Sequence, residues 1–277
     1  MKNPRPISPG SSGSYTVKAL VKALRILECL TEDEQTTLTL TELSRRLHLH
    51  VSTVHRLIVN LLRQGFVELN PDTGGYRLGF RVLRMGLRVL DRLDYRRAAQ
   101  PLLRELNLQT QETVRLAVLQ GDHAVSIEKF DSPQPVGLDA RLGGLMPLHC
   151  TGVGKTLLAF QTDEALTEML RDLPLNRHTA HTITALPQLK KELSKIREQG
   201  YAFDEEEAVV GLRCVAAPVL DHRDLVVAAF SVAGPSTRMT AERMRELASL
   251  VVETSRAVSH RLGHNPARGS SGPSSGG

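Results

Sequence analysis

Residues 49–70 read "LHVSTVHRLIVNLLRQGFVELN", a helical pattern that stops at a glycine and passes directly into a β-branched, aromatic run. Val54, Leu57, Ile58, Leu61 and Leu62 recur at the three- and four-residue spacing of one helix face, while Ser52, Thr53, His55, Arg56 and Asn60 fall on the other. Ser52 stands where an N-cap belongs and Gly65 where the chain leaves a helix in the left-handed region. The apolar face must dock on a core, which leaves the polar face free for water or for a partner.

The neighbouring segments narrow the choice. "YTVKALVKALRILECLTED" predicts a first helix with Val17, Leu20, Val21, Leu24, Leu27 and Leu30 along one side, and Ala19 and Ala23 small enough for close packing. Thr41 followed by Glu42 offers the start of a short second helix carrying Arg45 and Arg46. After the third helix, "FVELN" and "YRLG" flank the turn "PDTGG" and predict a hairpin bearing Arg77. Three helices and a hairpin outline a winged helix-turn-helix over residues 15–79. Residues 80–97 predict one amphipathic linking helix, with Val82, Leu83, Leu87, Leu90 and Leu93 inward and six arginines outward.

Beyond residue 97 the pattern changes to helices interleaved with strand pairs, as in "TVRLAVLQGDHAVSIEKFDS" and "RCVAAPVLDHRDLVVAAFSVAG". That order predicts an α+β domain over 98–262 with a mixed or antiparallel sheet. Residues 1–14 and 263–277, rich in Pro, Gly and Ser, are expected to be tails unable to pack.

Charge separates the two halves. Residues 1–97 hold 16 Lys or Arg against 9 Asp or Glu, whereas residues 98–277 hold 19 against 21. The net +5 of the chain therefore resides in its first third. A basic helix-turn-helix matches duplex DNA: a helix with an apolar back can place its polar front in the major groove while arginines on the preceding helix meet phosphate. The candidate DNA-contacting residues are Arg45, Arg46, Ser52, Thr53, His55, Arg56, Asn60 and Arg77. The competing reading, an enzyme or sensor whose basic module only joins protein partners, would lack the steep salt dependence of phosphate contacts.

Several chemistries are excluded or disfavoured. No uncharged apolar run approaches 18 residues and no leader pattern opens the chain, so a cytoplasmic location is expected. "TGVGKT" suggests a phosphate loop, but that motif needs a glycine at position 149, which is His149. What remains is a tight loop at the start of a helix whose amides suit a small anion or carboxylate. His149, Cys150, Asp204 and Cys214 carry zinc-compatible atoms without close ligand spacing, so no metal and no cofactor are expected. A Cys and His nucleophile pair lacks an indicated orienting group, and no enzyme activity is expected. Taken singly, Cys214 reads as an inert buried residue and Asp204 as a surface turn residue.

"VKALRILECL", "LTELSRRLHLHVSTVHRLIVNLLRQGFVEL", "DTGGYRLG", "PLHCTGVGKTLLAF", "IREQGYAFDEEEAVVGLRCVAAPVLD" and "VAAFSVAGP" together resemble, in order, the hallmark segments of the IclR family of bacterial transcriptional regulators. The resemblance spans residues 14–262 and implies a GAF-like C-terminal domain with a curved, mainly antiparallel sheet that binds an effector. It implies an effector site of Gly152, Val153, Asp204, Cys214 and Ser231, with Leu138, Met146 and Leu212 as apolar wall. A small organic acid would satisfy the loop amides and the hydroxyl, and Asp204 requires that the ligand also bring a donor. Where family members often have "SVSGP" this chain has "SVAGP", and Cys150 stands where many have alanine. Fewer donors favour a more apolar, aromatic ligand. The resemblance also implies a homodimer or dimer of dimers, and most often a repressor of a catabolic operon, with an activator of the same architecture as the alternative.

Overall fold

The computed structural model describes residues 17–31, 37–135 and 141–265. The chain divides into two compact units between Asp91 and Arg92.

The first unit contains α1 (Lys18–Cys29), α2 (Leu40–Leu47), α3 (Val51–Arg63), β1 (Val67–Leu69), β2 (Tyr76–Leu78) and α4 (Phe80–Leu90). Ile26, Cys29, Leu38, Leu43, Leu47, Val54, Ile58 and Val67 form its core. Helix α2 starts two residues earlier than the sequence suggested. Thr39 and Glu42 make a reciprocal capping box, with Thr39 N–H donating to Glu42 Oε2 at 2.7 Å. Helix α3 is likewise capped by His50 rather than Ser52, the imidazole Nδ1 accepting from Ser52 N–H. At its far end Phe66 N–H reaches Leu61 O and Gly65 N–H reaches Leu62 O, both at 2.9 Å, with Gly65 at φ +71°. This closure requires the left-handed conformation that glycine adopts without steric cost, and it throws the chain directly into the hairpin. Strands β1 and β2 pair antiparallel, and Leu38 adds a bridge to Tyr76.

The apolar stripes of α1 and α4 are largely exposed, and the expectation for residues 80–97 is corrected. On α1 the core is met by Ile26 and Cys29, whereas Val17, Leu20, Val21 and Leu24 are exposed, Leu20 by 56 % and Leu24 by 50 %. The predicted helix over 80–97 is two helices. Helix α4 ends at Leu90, Leu93 adopts a non-helical ψ of 85°, and α5 begins at Asp94. Helix α4 buries none of its residues, and Leu83 and Leu87, expected inward, are exposed. Its apolar stripe does not serve this unit's own core.

The second unit contains α5 (Asp94–Thr110), β3 (Thr113–Gln120), β4 (His123–Phe130), β5 (Leu145–Pro147), α6 (Gly152–Ala159), α7 (Asp163–Asp172), α8 (Leu186–Gln199), β6 (Ala202–Glu205), β7 (Leu212–Leu220), β8 (Val226–Pro235) and α9 (Ala241–Arg261). Its six strands form one antiparallel sheet in the order β5-β4-β3-β8-β7-β6. Thus the two hairpins predicted from sequence meet along β3 and β8, and each is extended by a short edge strand. Helices α5 and α9 pack together against the sheet, while α6 lies against β6, β7 and β8 and against α8. All eight residues of α6 are buried, including Lys155. Residues 136–140, among them Leu138, lie outside the described residues.

Candidate functional site

Helix α3 presents the division that its sequence requires. Val54 and Ile58 are buried, Ser52, His55, Arg56 and Asn60 are exposed, and Thr53 is half-buried. The exposed groups are not equally free. Asn60 donates from its side-chain amide to Arg56 O at 2.8 Å, and the Ser52 hydroxyl lies 2.7 Å from His50 Nδ1. Arg45 and Arg46 are exposed in the last turn of α2. Arg77 is exposed on β2 and lies 3.5 Å from Glu68. A groove-sized helix with exposed hydroxyl, imidazole and guanidinium groups, preceded by two exposed arginines, is a surface suited to phosphate and base edges.

The second site is a cavity of about 260 Å³ in the second unit. The sheet builds it by alternation. Asp204 on β6 pairs with Cys214 on β7, and Cys214 pairs with Ala233 on β8. Two residues along β8, Ser231 pairs with Arg115 on β3. Residues two apart share a sheet face, so these side chains converge. The start of α6 closes one wall. Thr151 caps the helix, accepting from Gly154 N–H at 3.1 Å and donating to Pro147 O at 2.7 Å. Gly152 packs so closely on the sheet that a Cβ there would stand 2.5 Å from Cys214 Sγ, so a larger residue would push the helix off the cavity wall.

Met146, Gly152, Val153, Asp204, Leu212, Cys214 and Ser231, all singled out from sequence, line this one cavity. Asp204 is a strand residue and only 4 % exposed, which corrects the reading of it as a surface turn. The cavity also has members that sequence reasoning missed, chiefly Arg115, Thr151 and His178. Arg115 left a trace, a lone cation in the apolar strand "TVRLAVLQ". His178 left none, because it comes from the irregular segment between α7 and α8.

Electrostatics give the cavity its character. Burial raises the Asp204 carboxyl to about 6, against the lowering effects of Glu207 N–H, Lys155, Ala208 N–H and Arg115. Asp204 Oδ1 accepts from Glu207 N–H at 2.9 Å. Behind it, Lys155 is 1 % exposed and is held by Glu207, with Glu192 at 3.7 Å. Arg115 Nε is buried without a hydrogen-bond partner. Burial lowers its pKa, opposed by Cys214 and Asp204. Burial also pushes the Cys150 and Cys214 thiols up to about 12. Both are therefore protonated at neutral pH, which makes them poor nucleophiles. The cavity offers a guanidinium, a hydroxyl and a carboxyl within a wall of Met146, Val153, Val209, Leu212 and Ala233.

Comparison with known proteins decides what these two sites belong to. Residues 19–71 match the model of the IclR helix-turn-helix domain, and residues 87–260 match that of the bacterial transcriptional regulator IclR C-terminal domain. The chain belongs to the IclR family of bacterial transcriptional regulators. It is 34 % identical over 249 residues to the transcriptional repressor IclR of Escherichia coli K12, covering 89 % of this chain and 90 % of that one. Its fold superposes on the crystal structure of Thermotoga maritima IclR with a TM-score of 0.73 at 32 % identity, over 90 % of this chain and all of that one. It also matches an IclR homologue of Microbacterium hydrocarbonoxydans complexed with 4-hydroxybenzoate, with a TM-score of 0.71 and 28 % identity over 86 % and 99 % of the two chains. As an IclR-family member the protein is a DNA-binding transcriptional regulator and not an enzyme. Among the described residues no helix is long and apolar enough to cross a membrane.

Proposed function

We propose that this IclR-family protein is a repressor of a catabolic operon, released from or retained on its operator by a small aromatic carboxylic acid bound in the second unit. The observation that carries the effector reading is the cavity itself. Half-buried Arg115, whose guanidinium Nε is buried and unsatisfied, faces a largely apolar wall beside the Ser231 hydroxyl and the Asp204 carboxyl. A ligand carboxylate would pair with Arg115 and accept from Ser231, a ring would pack on Met146, Val153 and Leu212, and a ring hydroxyl would donate to Asp204. The solved 4-hydroxybenzoate complex of a relative supports this ligand class. Leu138, expected in the wall, remains part of the proposal on sequence grounds alone.

On the DNA side, we assign base readout to Arg56, His55 and Thr53, and phosphate contact to Arg45, Arg46, Ser52 and Arg77, with Asn60 contributing once its amide leaves Arg56 O. One helix-turn-helix reads few base pairs, so two copies on a palindrome are required for operator specificity.

A panel of benzoates, hydroxybenzoates and short aliphatic acids tests the effector reading by thermal shift and by titration of an operator complex. Ligand at 100 times its Kd adds about 2.7 kcal/mol to stability, a shift of a few degrees. The expected result is that a hydroxybenzoate both raises the melting temperature and changes operator affinity, that Ser231→Ala weakens both responses, and that apo operator binding is unaltered in that variant. Ligand responses identical in Ser231→Ala and in the parent would remove this cavity from the effector site.

A further inference from the structure

The segment "TGVGKT", which fails as a phosphate loop, still carries a lysine that lies outside both sites. Lys155 is in the first turn of α6 and is wholly buried. An ammonium taken out of water is costly unless opposite charge meets it. Lys155 Nζ donates to Glu207 Oε1, from the turn between β6 and β7, and Glu192 on α8 stands 3.7 Å away. The second oxygen of Glu207, Oε2, is buried without a hydrogen-bond partner. Buried ion pairs are often no more stabilising than apolar side chains of similar volume, so stability alone does not account for this one.

The same turn ties this pair to the cavity. Asp204 Oδ1 accepts from Glu207 N–H at 2.9 Å, while Glu206 O accepts from the Thr179 hydroxyl and Glu207 O from the Thr182 hydroxyl, both at 2.7 Å. Asp204, Glu207 and Lys155 therefore form one connected set running from the cavity wall toward α8. The charges around Asp204 come from every element packed on it. Arg115 acts from β3 and Lys155 from α6, Glu207 lies in its own turn, the protonated thiols of Cys214 and Cys150 lie on β7 and before α6, and His178 lines the same cavity. Arg115 and Lys155 are the two cations that favour the Asp204 carboxylate. A ligand carboxylate seated on Arg115 would neutralise the first of them. Lys155 is then the one left to oppose burial and the neighbouring Glu207.

We propose that Lys155 is a positioning residue of the effector site: without touching the ligand, it keeps Asp204 a carboxylate and so makes the cavity select acids that bring a hydroxyl. This role rests on the reading of the cavity as a site for hydroxylated aromatic acids. Burial already raises Asp204 to about 6 and Glu207 to about 7, and Lys155 opposes both shifts. Without its charge the two carboxyl groups would hold a proton at neutral pH, and Asp204 would offer a donor of its own. A ligand hydroxyl would then lose its advantage, and a second ligand acceptor would gain one.

The test uses the full chain, isotopically labelled at the aspartate carboxyl carbons and titrated by NMR, with the Asp204 resonance identified by its loss in Asp204→Asn. We expect a midpoint near pH 6 in the parent, higher by about one unit or more in Lys155→Met, and restored in Lys155→Arg. Glu207→Gln keeps the lysine and removes its nearest partner, so it should move the midpoint downward, and it decides the matter by itself should Lys155→Met not fold. Calorimetry at pH 7.5 with benzoate and 4-hydroxybenzoate should show the parent's preference for the hydroxylated acid falling by about tenfold in Lys155→Met and surviving in Lys155→Arg. A parent that binds neither acid would refute the aromatic-acid reading, and the carboxyl titration would still decide for or against Lys155. A midpoint that stays or falls in folded Lys155→Met, or that stays or rises in Glu207→Gln, would overturn the proposal.

Discussion

At the scale of single residues, Asp204 shows how tertiary contacts reset a side chain. In "FDEEE" it reads as one acid among several, yet its pairing with Cys214 on β7 places it inside the sheet with Arg115, Lys155, Glu207 and Cys214 around it. Its folded-state pKa of about 6 stands above the ordinary 3.8, so the fold favours the protonated form. The associated stability is complete below about pH 4 and is lost as pH rises through 6. At about 1.4 kcal/mol per unit, the cost at neutral pH is on the order of 2–3 kcal/mol. Asp204→Asn should therefore raise the unfolding free energy at pH 7.5 by that amount and leave it unchanged near pH 4. Chemical denaturation at the two pH values checks this, and an equal difference at both would mean that no buried charge is being relieved. The same carboxyl gives effector affinity a direction. A ligand carboxylate lacking a donor should bind better below pH 6, where Asp204 is neutral, and one bearing a hydroxyl should lose that preference.

Individual elements carry the division of labour in DNA binding. Helix α3 was legible because its two faces differ in chemistry and because Gly65 marks its end, both of which are local signals. Its capping was not. His50 accepts the Ser52 N–H, a role for which the neighbouring serine is the stronger statistical choice. Arg56→Ala should cost about 1–3 kcal/mol at the cognate operator and flatten preference among base sequences. Arg45→Ala should weaken all duplexes alike and reduce the salt slope by about 1. Fluorescence anisotropy on cognate and scrambled duplexes at several salt concentrations separates the two, and uniform losses for both variants would undo the assignment of roles. The edge strands were invisible for a different reason. Strands β5 and β6 are three and four residues long, too short for an alternation to declare itself, and only their pairing with β4 and β7 makes them strands.

For the whole molecule, the exposed stripe Val17, Leu20, Val21 and Leu24 is, like that of α4, a feature that a single chain leaves unexplained. Helix α1 is apolar on two sides, and its sequence alone does not say which side its own core takes. Because Ile26 and Cys29 fill that role, the stripe is exposed, and under the proposed reading of two copies on a palindrome it is where a second copy would pack. Leu24→Glu, which spares the unit's own core, should give monomers in sedimentation velocity and lower operator affinity by a factor on the order of 10²–10⁴, while ligand binding persists. Unchanged sedimentation would place the dimer contact elsewhere. The amino-acid order by itself determined the three helices and hairpin, the separation of basic and neutral halves, the paired strands of the second unit and its family, because periodicity, turn chemistry and motif order are local properties. Only the tertiary structure decided that the helix at 80–97 breaks, which face of α1 is buried, and that Arg115 and His178 join Asp204, Cys214 and Ser231 around one cavity. Burial and convergence depend on pairings between residues far apart in the chain, and no window of neighbouring residues contains them.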